Sequence, residues 1–91
     1  MELQIGDIVM AIKGREKGEL FVIKSIANAS ALLVNGKTRT LSNPKTKNIK
    51  HIKFCKKSNL DFKNVFDCDI IYEIKVFKRG FNNKVEDNYC G

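Results

Sequence analysis

This 91-residue chain has only one histidine and no phosphate-binding glycine loop, two features that are common in enzyme active sites. No serine–histidine–carboxylate spacing is present, and the segment from Gly14 to Gly18 lacks the Gly-Lys-Ser/Thr ending of a nucleotide-binding loop. Asp67 and Asp69 lie at a predicted helix start, where capping explains them better than acid–base chemistry. We therefore predict no enzymatic activity, no catalytic residues and no cofactor.

Cysteine is also sparse, and its distribution argues against disulfides and metal centres. The three cysteines, Cys55, Cys68 and Cys90, are odd in number and widely spaced, unlike a disulfide framework or paired metal-ligand dipeptides. His51 and Cys55 would share one face of a predicted strand and could begin a zinc site, but the remaining cysteines are scattered. We interpret His51 and Cys55 as unrelated neighbours, and we predict free thiols and no metal site.

Long apolar runs are missing as well. The longest, Ile8 to Ile12, is far below the roughly 20 residues that a membrane-spanning helix needs. The amino end, Met1 to Gln4, has no basic-then-apolar signal sequence. We expect a soluble, cytoplasmic protein that makes no membrane contact and is a monomer when free. A mass of 10.4 kDa fits one small domain with an appendage.

Short β-type runs alternate with turn residues from Asp7 to Cys55, a pattern typical of a small barrel. The glycine-bracketed segment from Gly14 to Gly18 and the Asn35-Gly36 pair both predict hairpin connections. The only proline, Pro44, suits a loop because it lacks an N–H group. Five strands are predicted, at Asp7–Lys13, Glu19–Ala27, Ala31–Val34, Lys37–Leu41 and Ile49–Cys55.

The pattern changes after Lys57, which predicts a barrel over residues 1–57 and a carboxyl-terminal extension over residues 58–91. Helical spacing of apolar residues predicts a helix over 68–79, with Asp67 as its N-cap, Gly80 as its stop and residues 81–91 as a frayed tail. Phe66 would staple onto Ile71. We expect the apolar stripe to cover the open end of the barrel. The stripe comprises Ile70, Ile71, Ile74 and Phe77, and the basic carboxyl end of the helix comprises Lys75, Lys78 and Arg79.

Acidic residues are absent from one 22-residue window, Gly36 to Lys57, which carries a formal charge of +8. The remainder has 9 basic and 10 acidic residues and therefore carries −1. Ordinary solubilising surface mixes both signs, whereas a block of one sign attracts a polyanion through Coulomb forces and counterion release. This pattern predicts a nucleic-acid partner. The basic residues of the window are Lys37, Arg39, Lys45, Lys47, Lys50, Lys53, Lys56 and Lys57.

Two separated segments resemble the KOW motif, which marks an SH3-like barrel in ribosomal large-subunit proteins and transcription elongation factors. The first contains Gly6-Asp7-Ile8-Val9 and Gly14-Arg15-Glu16-Lys17-Gly18 and continues to Ile26, and the second contains Val34-Asn35-Gly36, Arg39 and the stretch from Pro44 to Ile52. Together they cover roughly residues 5 to 54. They resemble small bacterial KOW-domain RNA-binding proteins related to an archaeal and eukaryotic type of large-subunit ribosomal protein. The chain departs from many ribosomal members at Leu20 and Phe21, where those proteins have another glycine.

The resemblance implies a five-stranded SH3-like barrel that binds RNA through its first hairpin and neighbouring strand edges. With the helix added, the predicted fold class is mainly β: a small barrel followed by one carboxyl-terminal α-helix. In the predicted fifth strand His51 and Lys53 face outward together, and Arg39 offers a planar fork for phosphate. The candidate RNA-binding residues are Lys13, Arg15, Lys17, Lys37, Arg39, Lys45, Lys47, Lys50, His51 and Lys53.

Two functions remain open from the sequence. The first is a non-enzymatic module that binds ribosomal or other structured RNA by its backbone and shape, since the aromatic residues fall mostly on apolar faces. The second is a protein-interaction adaptor in a translation or transcription complex, using the barrel edge or the helix. Ribosomal or transcription proteins would then be its partners.

Overall fold

One antiparallel sheet and one helix make up the fold in the computed structural model, which describes the backbone of residues 2–90 and the side chains of residues 2–80. The elements are β1 (Asp7–Ala11), β2 (Leu20–Ala27), β3 (Ser30–Val34), β4 (Lys45–Asn48), a 3-10 turn (Ile49–His51), β5 (Ile52–Lys57) and α1 (Asp67–Cys90). The strand order is β4-β3-β2-β1-β5. The predicted class is confirmed: five antiparallel strands precede a single helix. The sheet is not closed, which is compatible with a small barrel-like fold.

Both faces of the central strands are buried. One core cluster includes Val9, Phe21 and Leu33, and a second cluster includes Ile8 and Val22. Successive side chains of a strand point to opposite faces, so these two clusters lie on opposite sides of the sheet. This arrangement explains why β2 begins with an unbroken apolar run, since a strand buried on both faces cannot alternate with polar residues.

Helix α1 covers the face that carries the second cluster. Ile70 and Ile74 are 0% and 7% exposed, respectively, and they pack with Ile8, Leu20 and Val34. The apolar stripe therefore packs on the sheet face opposite the first cluster. It lies against a face of an open sheet and does not cover the open end of a barrel. Because buried apolar surface stabilises by about 25 cal/mol per Å², this contact makes the helix a part of the core.

The predicted end of the helix is wrong. Gly80 is helical, without the positive φ that a glycine stop adopts, and α1 continues to Cys90. An interior glycine costs about 1 kcal/mol relative to alanine, which is not enough to end the helix here. Lys75 and Lys78 consequently lie in the middle of the helix and not at its carboxyl end. The side chains of the predicted tail, residues 81–91, lie outside the described residues.

The start of the helix also differs from the prediction. The carbonyl of Phe66 accepts the Ile70 N–H at 3.3 Å, so Phe66 and not Asp67 occupies the N-cap position. In return, the Phe66 N–H donates to the Asp69 carboxylate at 2.8 Å. Asp67 instead accepts the Leu41 N–H at 2.8 Å, which ties the start of the helix to the loop between β3 and β4. Phe66 is 65% exposed, so it does not form a buried staple.

No strand forms at Lys37–Leu41, and the segment from 35 to 44 is an irregular loop. The Asn35 side-chain oxygen accepts the N–H groups of Lys37 and Arg39, both at 2.9 Å. The Arg39 carbonyl accepts the N–H of Asn35 at 2.8 Å. These bonds close a tight turn on itself and use the groups that a strand ladder would need. The predicted hairpin partner is therefore replaced by β4, which pairs with β3.

The first three residues of the predicted fifth strand form the 3-10 turn instead. The turn joins the two outer strands: the Ile49 N–H donates to the Ala29 carbonyl at 2.8 Å, and the His51 carbonyl accepts the Ile12 N–H at 2.9 Å. Strand β5 then begins at Ile52, which is buried, while Phe54 is half-buried. Within the described residues, no helix is both long and apolar enough to cross a bilayer.

Candidate nucleic-acid interface

The hairpin between β1 and β2 presents three cations. Gly14 and Gly18 adopt φ of +86° and +93°, a left-handed conformation that side chains rarely take. The Gly18 N–H donates to the Ala11 carbonyl at 2.8 Å, which closes the turn. The side chains of Lys13, Arg15 and Lys17 project from this turn and are exposed, as predicted.

Glu16, at the tip of the same hairpin, clamps two lysines of β4. Its carboxylate lies 3.0 Å from Lys47 Nζ and 3.5 Å from Lys45 Nζ. The Lys47 side chain is only 9% exposed, so it is held in place and not free to meet a ligand. The hydrogen bond from Lys47, followed by the charge of Lys45, lowers the pKa of Glu16 below its ordinary value of 4.5. The clamp fastens the first hairpin to β4.

The 3-10 turn and the start of β5 lie beside that hairpin. Ile12 bonds to His51, and Met10 of β1 is the register partner of Lys53. The Asn48 side chain accepts the Lys50 N–H at 2.8 Å and caps the turn. We call the resulting set of polar side chains at this end of β1 and β5 the basic rim: Lys13, Arg15, Lys17, Lys50, His51 and Lys53. His51 is half-buried, and the other five are exposed.

The positive window is less free than its formal charge suggests. Glu16 pairs with Lys45 and Lys47, and the buried Asp7 lies 3.4 Å from Lys57 Nζ. Three of the eight cations in the window therefore form salt bridges, with two acids from outside it, so the fold partly neutralises the block of one sign. In the part of the chain with described side chains, the remaining five form no salt bridge, and they are Lys37, Arg39, Lys50, Lys53 and Lys56.

Lys37 and Arg39 lie on the loop over 35–44 and not on the basic rim. Lys37 lines a groove of about 470 Å³ between this loop, the start of β2 and helix α1. Lys75 and Lys78 of the helix line the same groove, whose floor includes Ile71. Arg39 is half-buried in the turn around Asn35. The structure thus divides the ten predicted residues into the rim, the clamped pair on β4 and the loop pair.

Two of the three cysteines have described side chains. Cys55 and Cys68 are free thiols, as predicted, and the Cys90 side chain lies outside the described residues. His51 sits in the 3-10 turn while Cys55 lies on β5, so the shared strand face is not formed. Burial raises the pKa of the Cys55 thiol, an effect that the Lys53 charge partly offsets. Among the described side chains, no three of His, Cys, Asp or Glu cluster.

Sequence reasoning missed three side chains that shape these surfaces. Glu16 was hidden because its partners come from a strand about 30 positions away, although a lone acid between Arg15 and Lys17 was a visible signal. Lys75 and Lys78 were assigned to a helix end that lies further on. No model of a known protein family matches the chain, and no curated protein matches its sequence. The KOW resemblance remains a prediction from the residues.

Proposed function

We propose that the protein is a non-enzymatic, cytoplasmic RNA-binding module of KOW type that acts on ribosomal or other structured RNA through the basic rim. The observation that carries the proposal is the juxtaposition of the hairpin cations with those of the 3-10 turn and β5. Five exposed cations lie at one end of the sheet, and Glu16, the acid between Arg15 and Lys17, is occupied by Lys45 and Lys47. A phosphate backbone is the ligand that such a surface attracts.

The rim favours recognition of backbone and shape over base readout. Its cations stand on a closed turn and a capped 3-10 turn, so little conformational entropy is lost when phosphates bind. Arg15 supplies a planar fork for a phosphate, and the lysines supply point charges. His51 is the one ring among the rim residues, and it is half-buried. Stacking platforms for single strands need exposed aromatic faces, which this surface does not offer in quantity.

The Glu16 clamp supports the same proposal. By fastening the first hairpin to β4, it holds Arg15 and Lys17 at a fixed distance from the 3-10 turn and thereby preorganises the cations. The adaptor alternative has lost part of its surface, because Ile70 and Ile74 are buried against the sheet. Ile70 is fully buried, so a partner could contact it only by displacing the helix, which disfavours docking through the stripe as a whole.

Salt dependence of RNA binding tests the proposal. If the five exposed cations each neutralise one phosphate, log K should fall with log[salt] at a slope of about −4.5 for duplex RNA, taking the B-DNA coefficient. Fluorescence anisotropy with a labelled ribosomal RNA hairpin, titrated between roughly 50 and 200 mM KCl, measures this slope. Affinity that does not change with salt, or no binding to structured RNA, contradicts the proposal.

The charge variant for this test should avoid the clamped lysines. In R15A/K17A/K50A/K53A, four exposed cations are removed, and the slope should become shallower by about 3.6. The control is K56A/K63A, which removes two exposed lysines that lie outside the rim and the loop over 35–44. The control should lose only the weak effect of net charge, and circular dichroism should show that both variants remain folded.

A further inference from the structure

The groove beside helix α1 has the composition of a nucleotide site. Its volume of about 470 Å³ lies within the range of small-molecule sites. The floor is apolar and includes Leu20, Ile71 and Ile74. The lip carries Lys37 from the loop over 35–44, and Lys75 and Lys78 from the helix.

The lysines of the lip pair with no acid among the side chains that the structure describes. Lys75 and Lys78 lie in mid-helix, so they do not serve to stabilise the carboxyl end of the helix dipole. Lys37, Lys75 and Lys78 are exposed and form no salt bridge within residues 2–80. The one acid among the described lining residues is Glu19, so the groove has a net positive charge and suits an anionic ligand.

The apolar floor narrows the class of ligand. A phosphate group alone gains nothing from Leu20, Ile71 and Ile74, whereas the flat face of a nucleobase gains dispersion and hydrophobic energy there. An unpaired base with its own flanking phosphates satisfies both the floor and the lysine lip. Stacking and apolar contact of this kind are how proteins hold bases that have left a helix.

The groove and the basic rim are adjacent along the chain, because Gly18 lines the groove and follows Lys17 of the rim directly. Apart from its two chain neighbours, no heavy atom lies within 4 Å of the position where a side chain would project from Gly18, so the backbone between the two surfaces is open. We propose that a single-stranded segment of the RNA bound at the rim enters this groove, with one unstacked base on the apolar floor and its phosphates on Lys37, Lys75 and Lys78. This proposal rests on the RNA-binding function proposed above.

Two RNAs separate the new site from the rim: a blunt duplex hairpin, and the same hairpin with a single-stranded tail of about eight nucleotides. The tail should strengthen binding to the wild-type protein. In K37A/K75A that gain should disappear, and the salt slope for the tailed RNA should become shallower by about 1.4, while the slope for the blunt RNA stays the same. The control K56A/K63A removes equal charge and should keep the gain. Methyl resonances of Leu20, Ile71 and Ile74 in the wild type should shift with the tailed RNA only.

Each arm has a contrary result that is distinct. If the blunt hairpin binds with the expected salt slope but the tail adds nothing, the groove proposal is wrong and the rim proposal stands. Equal losses for K37A/K75A and K56A/K63A also overturn the groove site. If neither RNA binds, the proposed function itself fails. A hexaglutamate peptide that shifts the groove methyls when the RNA tail does not would assign the groove to an acidic protein segment and overturn the nucleotide proposal.

Discussion

The first hairpin, residues 12–18, and the loop over 35–44 both have glycine turn signals and cations, yet they fold in different ways. The first joins two paired strands, and its three basic side chains project into solvent. The second closes around the Asn35 side chain and is fastened to helix α1 through the bond between Leu41 and Asp67. A turn signal in the sequence therefore predicts that the chain reverses direction. Contacts with distant residues determine whether strands follow the turn and whether its cations remain available to a ligand.

The largest expected effect is on RNA affinity, when the cations of each segment are removed in turn. We expect R15A/K17A to weaken binding to a blunt RNA hairpin on the order of 10- to 100-fold at 0.1 M salt, since each lost phosphate contact removes about one counterion from the equilibrium. K37A/R39A removes the same formal charge from the other loop and should weaken binding to the blunt hairpin much less. Anisotropy titrations of both variants measure the difference. Equal losses would show that net charge, and not position on the rim, governs affinity.

The two segments should also differ in how they tolerate an added methyl group. Gly36 has φ of +81°, and a Cβ there would lie 2.5 Å from the Asp67 carbonyl oxygen and 2.6 Å from Ile71. Gly18 has φ of +93° but open space around that position. We expect G18A to cost about 1 kcal/mol from backbone strain alone, and G36A to cost about 3 kcal/mol or more because the helix start must also move.

Urea denaturation of both glycine variants measures these costs as changes in the free energy of unfolding. The folded G36A should also lose protection from hydrogen exchange at the first turn of α1, whereas G18A should not. If G36A proved no less stable than G18A, the contact between the loop and the helix would be unimportant for the fold.

The sequence predicts the β part of the fold well where information is local. The strands β1, β2 and β3 lie within about two residues of their predicted bounds, because β-branched runs and glycine turns are local signals. The prediction failed at the loop over 35–44, where Asn35 captures the N–H groups of Lys37 and Arg39. Nothing local distinguishes an Asn-Gly pair that opens a hairpin from one that closes a turn on its own side chain.

The candidate site was predictable as a set of residue types but not as an arrangement. Exposure of Arg15 and Lys17 follows from their place on a glycine-bracketed turn. The clamp of Glu16 on Lys45 and Lys47 depends on how the first hairpin meets β4, which is a tertiary contact over about 30 residues. For the same reason a count of formal charge overestimated the free cations. Salt bridges between residues far apart in the sequence make some cations unavailable to a ligand, and the sequence alone does not show which residues pair.

The smallest expected effect is on the melting temperature, when Glu16, the one acid in the first hairpin, is replaced by glutamine. The pKa of Glu16 is lowered in the folded state, chiefly by the Lys47 hydrogen bond, so its carboxylate stabilises the fold at pH values above its ordinary 4.5. That contribution is lost as the pH falls through the lowered folded-state pKa, because the protonated group no longer pairs with the lysines. E16Q keeps the shape and removes the charge. The melting temperature of E16Q should therefore lie slightly below that of the wild type at pH 7, and the two should converge as the pH falls below the lowered pKa of Glu16.

The same substitution tests what the clamp does for binding. Removing Glu16 adds one net positive charge beside the rim and frees Lys45 and Lys47, which on charge alone should tighten RNA binding. If the clamp preorganises Arg15 and Lys17 as proposed, the gain is offset by a looser hairpin, and E16Q should show a steeper salt slope with little net change in affinity at 0.1 M salt. E2Q, at an exposed acid outside the rim and the groove, is the matched control. Tightening of E16Q well beyond that of E2Q would mean that Glu16 restrains the rim and does not organise it.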